Sequence, residues 1–160
     1  MTDGSTNVRW SFLSEIENYE EVVKSIEKKI QRYEPTAYCH NDLHMRNIVK
    51  TDKGIKILDF DESGLGYRGY DLACLLYNEI VGNVDILIVN KNNASIDTLL
   101  RAYANVTLEN LDDLYKEVCV FLEYVQLERM IYTKNMSDDV AQWKLRRWSR
   151  FSKYVRKNCQ

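Results

Sequence analysis

Asp59 lies twelve positions past Asn47, and the residues between them leave room for little but a tight hairpin. Ile48-Val49 opens the interval, Thr51-Asp52-Lys53-Gly54 supplies turn chemistry, and Ile55-Lys56-Ile57-Leu58 alternates before the acid. Short β-branched runs on either side of a glycine-containing turn read as two antiparallel strands. Ala37-Tyr38-Cys39 is a further short apolar run, and it leads into the polar stretch His40-Asn41-Asp42-Leu43-His44-Met45-Arg46-Asn47. The hairpin therefore holds Asn47 and Asp59 at neighbouring strand ends, within reach of one metal ion. Any fold open to this chain has to present both polar clusters beside one small β element.

Phosphoryl transfer from a nucleotide is the chemistry that these residue types suit. It asks for an acid that orients and deprotonates the attacking hydroxyl, and for ligands to the Mg²⁺ that bridges the phosphate oxygens. Asp42 fits the first role; Asn47, five residues on, and Asp59 fit the second. Their order and spacing are those of the kinase catalytic loop and the metal-binding aspartate that follows it. A loop that merely capped two strands would have to reproduce three roles, their order and their spacing by coincidence.

Three segments carry a resemblance to the aminoglycoside phosphotransferase and choline kinase-like superfamily, small-molecule relatives of protein kinases. They are H-N-D-L-H-M-R-N at 40–47, L-D-F-D at 58–61 and D-L-A at 71–73, and the close match covers about residues 37–77. The resemblance implies that Asp42 is the catalytic base, set in a loop with His40 and with His44, which stands where protein kinases carry a lysine. It implies that Asn47 and Asp59 bind Mg²⁺ and through it ATP or another nucleoside triphosphate, with Asp61 as a supporting group behind them. Asp71 would brace the catalytic loop through backbone amides. Asn41 stands where the family commonly has glycine, a mild departure because Asn tolerates a left-handed backbone. The acceptor implied is a hydroxyl of a small molecule such as an aminoglycoside or choline, bound by the helices after D-L-A.

Outside the hairpin the chain reads as helical. Apolar residues at 12, 16, 19, 23, 26, 30 and 33 make the stripe of an amphipathic helix, with Ser14 and Glu17 as its capping box and Pro35 near its end. Glu62 to Gly69 reads as a loop and Asp71 to about Ile80 as a helix. Val84 to Val89 is a short apolar run that suits a strand or a buried helical turn. Ser95 caps a helix toward Thr107. Leu111 to about Lys134 makes a long helix with Leu114, Val118, Phe121, Val125 and Met130 inward, and Asp139 to Lys157 a basic last one. The expected class is α+β, mostly helical, with residues 1–10 a loose lead-in and 11–160 the C-terminal lobe of a kinase-like fold. Ahead of His40 there is one glycine, Gly4, and no strand pattern bearing a lysine, so the nucleotide-binding N-terminal lobe is expected to be absent. The expectation for the isolated chain is weak or no activity, with a separate N-terminal lobe or self-association as its partner.

Composition narrows the function classes. A net charge of −2 and a pI near 5.8 argue against a nucleic-acid binder that works by phosphate neutralisation. No apolar run is long enough to cross a bilayer, and a reducing, cytoplasmic setting suits Cys39, Cys74 and Cys119 as buried free thiols. Glu109, Asp112, Asp113, Glu117, Glu123 and Glu128 offer charge to a cationic acceptor, but solvated helix faces are the preferred reading. Tyr124, Tyr132, Trp143 and Trp148 offer a cation cage, with core packing preferred. Two competing readings remain: a non-catalytic kinase-like remnant that binds a partner, and a hydrolase clamping metal with Asp59 and Asp61. The second leaves His40 and Asn47 unexplained.

Overall fold

A computed structural model describes residues 18–82 and 94–131, together with Arg146 and Trp148. The elements run α1 (Tyr19–Ile30), β1 (Ala37–Cys39), a 3₁₀ turn (Met45–Asn47), β2 (Ile48–Thr51), β3 (Gly54–Ile57), β4 (Gly64–Gly66), α2 (Arg68–Gly82), α3 (Ala94–Thr107) and α4 (Leu111–Ile131). The architecture is α+β and mostly helical, as expected for the larger lobe of a kinase-like fold.

Helix α4 is the spine. Leu114, Val118, Phe121, Leu122 and Val125 are buried along it and meet Leu72, Ala73, Leu76 and Tyr77 of α2 and Leu100 and Ala104 of α3. Each buried Leu, Val or Phe among them contributes roughly 1.5–3 kcal/mol when removed from water, and each Ala less. Asn110 starts α4 by accepting the amides of Asp112 and Asp113 on its Oδ1, at 2.9 and 3.1 Å. Helix α1 lies across the other face, where Ile26 packs with Leu127, Met130 and Trp148. Lys29 adds a 2.6 Å ion pair to Glu123 of α4. Trp148 and Tyr124 thus belong to packing, while Tyr132 and Trp143 lie outside the described residues.

The β2–β3 hairpin forms as its sequence requires, with Ile48 opposite Ile57 and Thr51 opposite Gly54. A second pair was not expected. Gly64-Leu65-Gly66 is a strand rather than loop, and it runs antiparallel to β1 with Tyr38 opposite Leu65. Three-residue strands are too short to show a period, and glycine is depleted in strands, so nothing local announced this pairing.

Helix boundaries also shift. α2 begins at Arg68, so Asp71 sits within its first turn rather than at its start. α3 begins at Ala94, which places Ser95 inside the helix instead of at its cap. The proposed capping box of Ser14 and Glu17, the run Val84 to Val89 and most of the basic last helix lie outside the described residues. Cys39 and Cys74 are free and buried, but Cys119 is disulfide-bonded, against the expectation of a free thiol. Its apolar neighbours correctly signalled burial, and burial suits a thiol and a disulfide equally well. Among the described residues no helix is long and apolar enough to cross a membrane.

Candidate active site

β1 delivers the chain to His40, and Asn41 then turns it with a left-handed φ of 64°. Such a conformation costs a non-glycine residue on the order of 1 kcal/mol and persists where its surroundings hold it. Asp71 does the holding. Its Oδ2 accepts the His40 amide at 2.7 Å and its Oδ1 accepts the Asn41 amide at 2.8 Å. Asn41 Nδ2 donates to the Glu62 carbonyl at 2.9 Å, which ties the loop to the approach of β4. Gly66 permits that closeness, because a Cβ there would stand 2.7 Å from Asn41 Oδ1.

His40 is a buried strut between the loop and the strand end that bears Asp59. The Asp42 amide donates to His40 Nδ1 at 3.3 Å, so Nδ1 is an acceptor. The proton therefore sits on Nε2, which donates to the Leu58 carbonyl at 2.8 Å. The ring packs against Phe60 with centroids 4.8 Å apart. Leu58 in turn donates its amide to the Asn47 carbonyl at 2.8 Å. Asn47 is buried, and its Nδ2 donates to the Asp42 carbonyl at 3.1 Å. These bonds join His40, Asn41, Asp42, Asn47, Leu58 and Asp71 into one unit. Asp59 follows Leu58 directly, in a left-handed conformation with φ of 64°. Its side chain is exposed and makes no hydrogen bond or ion pair among the described residues. Asp61 is exposed and makes no hydrogen bond or ion pair among the described residues.

Both oxygens of the Asp42 carboxylate have partners. His44 Nε2 is 3.4 Å from Oδ2, and Arg129 Nη2 is 3.4 Å from Oδ1. Arg129 lies 87 residues away in the chain, on the last turn of α4, and no sequence spacing linked it to the loop. Burial opposes its charge, but the neighbouring Cys74 and Asp42 more than offset this and raise its pKa. Behind it, Tyr70 donates its hydroxyl to Glu128 at 2.8 Å. Burial first, then Cys74 and Glu128, keeps that hydroxyl protonated far above the usual phenol range. Burial likewise pushes the Cys74 thiol to about 12 and the Cys39 thiol to about 11.

Four of the six acids correct the sequence reading, while Asp112 and Asp113 are exposed as expected. Glu117 is buried, not solvated: it accepts Arg68 Nε at 2.9 Å and the Gly69 amide at 3.1 Å. Glu109 pairs with the same guanidinium. Glu123 is taken by Lys29 and Glu128 by Tyr70. Burial disfavours the Arg68 charge, yet Glu117 and Glu109 outweigh it and raise its pKa. Glu117, Glu123 and Glu128 fasten α4 to α1 and α2, and Glu109, just ahead of α4, shares Arg68 with Glu117. A charge count along the helix could not show this, because each partner lies far off in sequence.

The donor set suits a hard cation shared with phosphates. Asn47 spends its amide nitrogen on Asp42, which leaves its Oδ1 as an acceptor, and the Asp59 carboxylate stands uncommitted. Two oxygen donors of this kind match Mg²⁺, which keeps waters and substrate phosphates for the rest of its shell. No group of three or more His, Cys, Asp or Glu that could hold a metal occurs among the described residues.

Residues 4–110 match the sequence profile of the family described as choline/ethanolamine kinase. Among curated proteins, the chain is 36% identical over 81 residues to the probable ethanolamine kinase B of Dictyostelium discoideum, covering 46% of this chain and 18% of that protein. It is 33% identical over 86 residues to ethanolamine kinase 1 of Mus musculus, covering 50% of this chain and 23% of that protein. The chain thus spans about a fifth of the length of these relatives. No solved structure matches it. With the profile extending over more than half of its residues and over the whole hydrogen-bonded loop, the chain belongs to the choline/ethanolamine kinase family.

Proposed function

We propose that the chain carries the catalytic and metal-binding half of a kinase that moves the γ-phosphoryl group of ATP to the hydroxyl of a small amino alcohol. The observation that supports this reading best is the bonded unit around Asp42. Asp71 fixes the loop backbone, Asn47 is tied to Asp42, and His40 couples both to the strand end that bears Asp59. In this reading Asp42 accepts the hydroxyl proton and aims the oxygen. Asn47 Oδ1 and the Asp59 carboxylate hold Mg²⁺, which when bound neutralises charge on the phosphate oxygens. His40 works from behind, as a strut. The names of the ethanolamine kinases to which the chain is similar favour an amino alcohol over an aminoglycoside.

In this reading Asn47 and Asp59 hold the metal and phosphate side of the nucleotide. The expected behaviour of the chain alone is slow transfer from radiolabelled Mg-ATP to ethanolamine or choline, well below ordinary kinase turnover and absent in Asp42→Ala. Product formed equally by wild type and Asp42→Ala, or Mg-ATP binding unchanged in Asp59→Asn, goes against the proposal. In that case a partner-binding remnant becomes the better reading.

A further inference from the structure

We propose that Arg129 is a positioning residue, holding the Asp42 carboxylate in the orientation that a bound hydroxyl requires. The inference rests on Asp42 being the base. Its starting point is how the loop is fastened. Asp71 fixes the backbone at His40 and Asn41, and the Asn47 side chain takes the Asp42 carbonyl. Neither contact touches the Asp42 side chain, which is 40% exposed and free to rotate about its Cα–Cβ bond unless something holds its carboxylate.

Two groups reach that carboxylate among the described residues. His44 sits two residues away on the same loop and moves with it, and its Nδ1 is buried with no hydrogen-bond partner among the described residues. Arg129 belongs to a different element. It is flanked on α4 by Met130, which is buried against Ile26 and Trp148, and by Glu128, which takes the Tyr70 hydroxyl. Tyr70 is the neighbour of Asp71 on α2. The helical body therefore grips the loop twice, by its backbone through Asp71 and by its base through Arg129. An arginine suits the second task because it stays charged at every working pH and its planar fork loses little freedom on pairing.

Arg129 is also the basic residue of the last turn of α4, where a cation complements the helix dipole. That role alone would affect stability and leave the orientation of Asp42 untouched, so the test has to read the side chain itself. Three-bond couplings of Asp42, between Hα and Hβ and between the backbone nitrogen and Cγ, report its χ1 rotamer in the full chain. The expected result is one rotamer in the wild type, averaging in Arg129→Met, and at least partial return in Arg129→Lys. Couplings already averaged in the wild type, or unchanged in Arg129→Met, overturn the proposal. Where turnover is measurable, kcat in Arg129→Met falls by about 10- to 100-fold while KM for Mg-ATP changes by less than about twofold. Where the chain alone shows no turnover, the couplings still decide the role of Arg129. If Arg129→Met does not fold, the Arg129 Nε–Hε resonance is followed in Asp42→Asn. A clear shift supports the pairing, and an unmoved resonance overturns it.

Discussion

Replacing Asp71 by alanine tests the loop more severely than any other single change. One carboxylate serves two backbone amides, His40 at 2.7 Å and Asn41 at 2.8 Å. A hydrogen bond to a charged group is worth about 1.5–3 kcal/mol net, and a donor left unpaired away from water costs a comparable amount. Both bonds are only part-buried, so water recovers some of the loss, and about 3 kcal/mol is the reasonable total. For a chain of this length that corresponds to a fall of roughly 6–12 °C in Tm. Asp71→Asn should not rescue it, since an amide offers one acceptor and turns its NH₂ toward the second N–H. The assay is urea unfolding together with native-state hydrogen exchange. Protection at the His40 and Asn41 amides should vanish in Asp71→Ala while the amides of α4 keep theirs relative to global stability. The left-handed turn at Asn41 should relax at the same time, because Asp71 supplies most of what holds it. Unchanged exchange at both amides, with a Tm within a degree or so of wild type, would mean that Asp71 does not hold the loop.

Glu117→Ala strips the buried partner from Arg68 and from the Gly69 amide, and should cost about 3–5 kcal/mol in urea midpoint at constant slope. Glu117→Gln, which keeps an acceptor, should cost less. Gly66→Ala places a methyl 2.7 Å from Asn41 Oδ1 and should destabilise by about 1–3 kcal/mol, read by thermal melting. Cys39 and Cys74 are each 2% exposed with thiols raised to about 11 and about 12, so neither should react with a disulfide reagent at pH 8 until denaturant is added. A raised thiol pKa favours the protonated, folded form. Its stabilisation is therefore complete below the ordinary thiol value of 9.0 and is lost as pH rises through about 11–12. Unfolding curves measured from pH 8 upward check the sign.

The site was legible where chemistry and local spacing coincide. The hairpin follows from eleven consecutive residues, the loop from His40 to Asn47 from eight, and Asp71 from a triplet close behind. The inward faces of α1, α2 and α4 followed from helical periodicity, as buried Ile26, Leu72 and Val118 show. What escaped depends on partners far off in the chain. The β1–β4 pair joins two three-residue strands with no period to read. Glu117 looked solvated because Arg68, the cation that lets it be buried, lies 49 residues away. The disulfide at Cys119 was hidden because burial does not distinguish a thiol from half a bridge. Arg129 had no motif to point to it: its place beside Asp42 is set by the length of α4, not by any spacing from the loop.

If Asp59, through a metal ion, is what lets this chain recognise a nucleotide, ATP titrated into the wild-type chain should bind weakly, only with Mg²⁺, and not at all in Asp59→Asn. Equal affinity in the two proteins, or binding indifferent to Mg²⁺, would remove Asp59 from the site.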